Sequence, residues 1–99
     1  MTDHQQLAAH AKDAARLLKE LGNESRLMVC CCLGDNELSV GELNQQVPLS
    51  QSALSQHLAR LREAGLVATR KQGQTVFYRL AGDHAQRVIR TLKSIYCPD

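Results

Sequence analysis

This sequence predicts a mainly α-helical fold carrying one β-hairpin, and three features predict it. Apolar residues recur at helical spacing over most of the chain. The segment Arg70–Leu80, RKQGQTVFYRL, instead gathers β-formers around a Gln-Gly-Gln turn. Cap and turn residues punctuate the chain at Gly22-Asn23, Gly34-Asp35-Asn36, Pro48, Gly65 and Asp83.

The elements follow in order. Residues 4–21 are expected to form the first helix, with Leu7, Ala8, Ala11, Ala14, Ala15, Leu18 and Leu21 at helical spacing. Gly22 ends it and Asn23 caps the next, 24–33, where Leu27, Val29, Cys30, Cys31 and Leu33 make a largely apolar helix. After a turn at 34–36, Ser39-Val40-Gly41-Glu42 matches a capping box and opens a short third helix burying Leu43 and Val47. Pro48 and Leu49 make a turn, and Ser50 caps a fourth helix running to about Ala64. Leu54, Leu58 and Leu61 form its inward stripe. Gln51, Ser52, Ser55, Gln56 and Arg60 are left to point outward. Gly65 stops it. Strands Val67–Lys71 and Thr75–Leu80 flank the turn Gln72-Gly73-Gln74. Asp83 is expected to cap a last helix through Tyr96, with Val88, Ile89, Leu92 and Ile95 on one face and Pro98 beyond its end.

With 99 residues the chain reads as one domain, 1–99. It is 43% hydrophobic but 3% aromatic, so its core must be built of Leu, Val, Ile and Ala. A core this small leaves apolar surface that a second copy of the chain is expected to cover. The N-terminal segment has no basic stretch leading into an apolar run, and nothing approaches a membrane span. A cytoplasmic protein is expected, with its cysteines reduced by default and any disulfide a signal rather than a staple.

The net charge of +2 says little, but its distribution says more. Residues 1–49 hold four Lys/Arg against seven Asp/Glu, a net of −3. Residues 50–79 hold Arg60, Arg62, Arg70, Lys71 and Arg79 against Glu63 alone, a net of +4. Charge by itself fits a solvated basic face as well. Together with the helix pair and the hairpin it points to DNA, because helices three and four make a helix-turn-helix and the hairpin behind them a wing. Gln51, Ser52, Ser55 and Gln56 stand in the first turns of the fourth helix, where side chains meet base edges. Ser50 both caps the helix and can donate to phosphate, which the helix N-terminus itself attracts. Arg60, farther along, is placed for phosphate. Arg70, Lys71 and Gln74 of the wing are placed for phosphate or the minor groove. His57 fits either an internal hydrogen bond or a DNA contact.

At these residues the chain resembles the ArsR/SmtB family of bacterial winged helix-turn-helix regulators. The resemblance is carried by Ala15-Leu17-Leu18, Asn23-Glu24-Ser25-Arg26-Leu27, Leu38–Leu43, the Ser50–Leu66 block and Val76–Leu80. It implies a homodimer formed through the first and last helices, binding double-stranded operator DNA with inverted half-sites roughly 34–36 Å apart. It also implies an inducer that weakens binding. The usual metal sets of the family are missing or incomplete. Ser39-Val40-Gly41 stands where arsenic-type sensors carry Cys-x-Cys, and Asp83-His84 begins a zinc-type set that Arg87–Tyr96 does not continue. No metal or other cofactor is therefore expected.

Cys30, Cys31, Cys32 and Cys97 remain. Consecutive helical residues point about 100° apart, so the first three are poor joint ligands for one ion, and a buried free Cys packs as a small apolar residue. Within the family the chain resembles the thiol-based HlyU/BigR/SqrR branch. There one cysteine follows an Arg-Leu entry on the second helix, matched by Arg26-Leu27…Cys31, and the other follows an aromatic residue at the end of the last, matched by Tyr96-Cys97. The resemblance implies a reversible disulfide or sulfur bridge between Cys31 and Cys97, driven by reactive sulfur species or peroxide. Cys30 and Cys32 depart from that two-cysteine scheme. A metal-responsive repressor with a non-standard cysteine site is the alternative. An enzyme is not expected, since no Cys-x-x-Cys opens a helix in an α/β pattern.

Overall fold

The computed structural model describes residues 2–98. The elements are α1 (Asp3–Ala9), α2 (Ala11–Leu21), α3 (Glu24–Leu33), β1 (Leu38–Ser39), α4 (Val40–Gln46), α5 (Gln51–Glu63), β2 (Val67–Gln72), β3 (Thr75–Leu80) and α6 (His84–Tyr96). The three strands make one antiparallel sheet in the order β1-β3-β2.

The core is aliphatic, as the scarcity of aromatics requires. Leu54, Leu58 and Leu61 of α5 are fully buried against Val29, Cys30 and Leu33 of α3, Leu43 of α4, and Ala85 and Ile89 of α6. Leu66 and Val67 carry this core into the wing.

Helix ends follow the local chemistry. Asn23, Ser39 and Ser50 each accept a backbone N–H three residues on, from Arg26, Glu42 and Ala53. Glu42 completes the capping box by accepting the Ser39 N–H at 2.9 Å. Helix α5 ends in a Schellman motif. The Leu66 N–H donates to the Leu61 carbonyl and the Gly65 N–H to that of Arg62, with Gly65 at φ 78°. Gly73, at φ 62°, takes the first place of the two-residue wing turn.

Four features differ from expectation. The first helix is two. At His10 the backbone leaves helical geometry (φ −115°, ψ 13°) and α2 begins anew. No Gly or Pro marks the break, but α1 buries no residue, so no packing enforces continuity. Second, Leu38 and Ser39 pair with Tyr78 and Phe77 as a third strand. Two residues are too few to show a strand period. Third, β2 runs on to Gln72, which pairs Thr75 and shortens the turn to Gly73-Gln74. Fourth, Asp83 stands at the N-cap of α6 but its side chain accepts no backbone N–H. Its carboxylate lies 4.0 Å from Arg87 instead.

The apolar faces of the first and last helices are only partly used. Leu21 and Ile89 are buried, whereas Leu7, Leu18, Ile95 and Tyr96 stay exposed. Between α2 and α6 lies an open groove of about 430 Å³ lined by His10, Asp13, Ala14, Leu17, His84, Arg87 and Val88.

Candidate nucleic-acid interface and cysteine pair

Helices α4 and α5 are joined through 47–50, and Asn44 pins this turn by donating to the Leu49 carbonyl at 2.7 Å. The buried leucine stripe turns the opposite face of α5 outward. Gln51, Ser52, Ser55 and Gln56 are all exposed on it, in its first turns. Ser50 is exposed as well, its hydroxyl engaged by the Ala53 N–H. His57 is half-buried, and its ring makes no hydrogen bond among the described residues. The internal bond offered as one role for it is thus unmade.

The arginines differ from their sequence expectation. Arg60 donates from Nε to Glu20 Oε1 at 2.6 Å. Arg70 donates from Nε and Nη2 to Glu37 at 2.7–3.1 Å and from Nη1 to Gln72 at 3.0 Å. Its guanidinium also lies 5.0 Å from the centre of the Phe77 ring, across the strand pair. Two of the five cations counted between 50 and 79 are thus matched by acids from the first half of the chain. Arg62, Lys71 and Arg79 are exposed and make no ion pair among the described residues. Lys71 and Gln74 stand at the end of the wing, free for a partner. Glu20 and Glu37 carry no sign of these roles in the sequence, because separations of 40 and 33 residues leave no local pattern.

The cysteines fall into distinct settings. Cys30 faces the core, fully buried, and that burial pushes its thiol up to about 12. Cys31 and Cys32 are half-buried, and burial raises both. Two neighbouring groups also bear on Cys31. The Lys93 ammonium lowers its thiol pKa, and Cys97 raises it. Cys97 is exposed at the C-cap of α6, one turn beyond Lys93, whose carbonyl accepts the Cys97 N–H at 2.7 Å. The packing of α3 on α6 therefore brings Cys97 to bear on Cys31, and both are free thiols. No three His, Cys, Asp or Glu side chains converge as a metal cluster among the described residues.

A helix-turn-helix with an exposed polar recognition face and a basic hairpin behind it defines the winged helix-turn-helix class. The profile of the "Bacterial regulatory protein, arsR family" matches residues 23–69. "Transcriptional activator HlyU" of Vibrio cholerae is 53% identical over 93 residues, covering 94% of this chain and 86% of the relative. Its structure, described as reduced HlyU, superposes with a TM-score of 0.87 over 94% of this chain and 98% of that one. The transcriptional repressor BigR from Xylella fastidiosa, 42% identical, gives 0.91 over 98% of each chain. The homodimeric winged helix-turn-helix domain of Mb0332 from Mycobacterium bovis, 27% identical, gives 0.78 over 98% of this chain and 88% of that one. This chain belongs to the arsR family of bacterial transcriptional regulators. No helix among the described residues is long and apolar enough to cross a membrane.

Proposed function

We propose that this protein is a homodimeric operator-binding regulator whose DNA affinity is set by reversible linkage of Cys31 and Cys97. The observation that carries the proposal is the pair itself. Cys31 lies on α3, which packs on α6, and Cys97 at the end of α6 bears on its thiol; both are free, while Cys30 is sealed in the core. A relative described in its reduced form fits a protein with more than one thiol state.

The chemistry balances without a metal or cofactor. A thiolate of the pair attacks peroxide, releasing one water and leaving a sulfenic acid. The second thiol displaces the other water and closes the disulfide. With a persulfide donor the thiolate takes the outer sulfane sulfur and the donor leaves as its thiol. Attack of the second thiol on the inner sulfur of the new persulfide then closes the disulfide and releases hydrogen sulfide. Where both cysteines carry a persulfide, attack of one on the other leaves a trisulfide and releases hydrogen sulfide. Either link ties α3 to the end of α6. A coupling of about 1–3 kcal/mol, roughly 5–150-fold in affinity, is enough for a switch.

The output is the α5 face. Gln51, Ser52, Ser55 and Gln56 meet base edges, and Ser50 with the helix N-terminus, Lys71 and Gln74 meet the backbone. His57, half-buried beside that face and without an internal hydrogen bond among the described residues, is left for a DNA contact. A second copy covers the exposed apolar residues of α1, α2 and α6 and presents its own α5 to an inverted half-site. Such a protein works beside the chromosome, in the cytoplasm, as one winged domain. Peptide mapping by mass spectrometry after polysulfide and after peroxide tests the sensing step. A Cys31–Cys97 link in either sample supports it, and exclusive modification at Cys32 overturns it.

A further inference from the structure

Nothing on its own helix fixes Arg60. Its Nε donates to both oxygens of Glu20, at 2.6 and 3.3 Å, across 40 residues of sequence. Glu20 closes the last turn of α2 and is buried at 8% exposure, where an unpaired carboxylate is expensive. The Arg60 hydrogen bond, then the charges of Arg60, Arg26 and Lys19, hold its carboxyl below the usual range. Arg26 is itself buried. It donates from Nε to the Glu20 carbonyl at 2.6 Å and from Nη2 to that of Lys19 at 3.3 Å. The end of α2, the start of α3 and the later turns of α5 therefore meet at Glu20, α5 at its carboxylate and α3 at its backbone carbonyl, with the Arg26 Nε 4.0 Å from the carboxylate.

We propose that Glu20 and Arg60 are a positioning pair for DNA binding. Arg60 sets the angle of α5 on the α2–α3 corner through Glu20, and it does not contact phosphate. This deepens the operator-binding function proposed above and rests on it. The two roles open to Arg60 give opposite signs. If Arg60 gripped phosphate, releasing it from Glu20 would tighten binding. If it positions α5, releasing it loosens the helix and weakens binding.

The test uses a duplex selected from a random-sequence pool by the wild-type protein. Its affinity is measured by fluorescence anisotropy at several salt concentrations, with helicity followed by circular dichroism. Glu20→Gln and Arg60→Gln are each expected to weaken binding roughly tenfold. The salt slope should not change, and the exchange Glu20→Arg with Arg60→Glu should recover most of the loss. Arg60→Lys, which keeps the charge but loses the fork, covers the case in which Arg60→Gln fails to fold, and is expected to weaken binding at an unchanged slope. Tighter binding by Glu20→Gln, or a slope shallower by about one in Arg60→Gln or Arg60→Lys, would assign Arg60 to phosphate and overturn the pair. So would a folded charge exchange that recovers nothing. If the wild type selects no duplex, operator binding itself fails, and the positioning role falls with it.

Discussion

Arg70 and Glu37 are joined by a forked ion pair, Nη2 to Oε1 at 2.7 Å and Nε to Oε1 at 2.9 Å. It ties the outer strand of the wing to the residue before β1. The Arg70 guanidinium also lies over the face of the Phe77 ring. Arg70→Ala and Glu37→Gln should therefore act alike, by loosening the wing. Amide hydrogen exchange in 67–80 is expected to speed up in both. Loss confined to DNA affinity, with exchange unchanged, would give Arg70 to phosphate instead.

The same geometry predicts an acid limit. The hydrogen bond from Arg70 holds Glu37 low, and that from Arg60 holds Glu20 low. A depressed carboxyl stabilises the fold above its unfolded pKa, and that contribution is lost as pH falls through the folded value. Thermal stability should thus decline below the ordinary carboxylate range. In Glu20→Gln that acid slope should be shallower, as a pH series of melting curves would show.

Lys71 and Gln56 are expected to fail differently. Lys71 is exposed on the wing and unpaired. Lys71→Ala should weaken binding about equally on all duplexes and reduce the salt slope by about one. Gln56 lies on the α5 face, and Gln56→Ala should cost about 1–3 kcal/mol on the preferred duplex and little on others. Titrations of matched and scrambled duplexes at two salt concentrations separate the two patterns.

Cys31→Ser and Cys97→Ser should bind DNA as the reduced wild type does but ignore polysulfide. An intact response in both removes the pair from the mechanism. Burial raises the Cys31 thiol and Lys93 opposes the rise, so its alkylation rate should climb only above the ordinary thiol range. Lys93→Gln should move that climb to still higher pH. Cys30, pushed up to about 12, should stay unmodified in the folded protein throughout.

Leu58→Ala removes a fully buried side chain from the centre of the core. A loss of about 2–5 kcal/mol in denaturant unfolding is expected. A loss under 1 kcal/mol would mean that the core can close around the cavity.

Local chemistry was legible in the sequence wherever a few neighbouring residues carry it. Asn23, Ser39 and Ser50 cap their helices, Glu42 closes its box, and Gly65 stops α5 as expected. The i, i+4, i+7 stripe of Leu54, Leu58 and Leu61 was enough to orient α5, because a helix that must bury one face exposes the other. The polar face of α5 follows from that stripe, and the resemblance to the family follows from the same blocks. The break at His10 and the strand at Leu38–Ser39 were not legible. The first follows from missing tertiary support and the second from pairing with partners 38 and 40 residues away.

The sequence by itself determined the helix-turn-helix, the wing, the aliphatic core and which residues face outward, since each depends on short-range periodicity and caps. Only the tertiary structure decided what the charges do. It set Arg60 on Glu20 and Arg70 on Glu37, buried Cys30, and brought Lys93 and Cys97 to bear on Cys31. The reason is that an ion pair or a thiol's field depends on distance in space. Residues 33, 40 and 66 positions apart leave no trace of that distance along the chain.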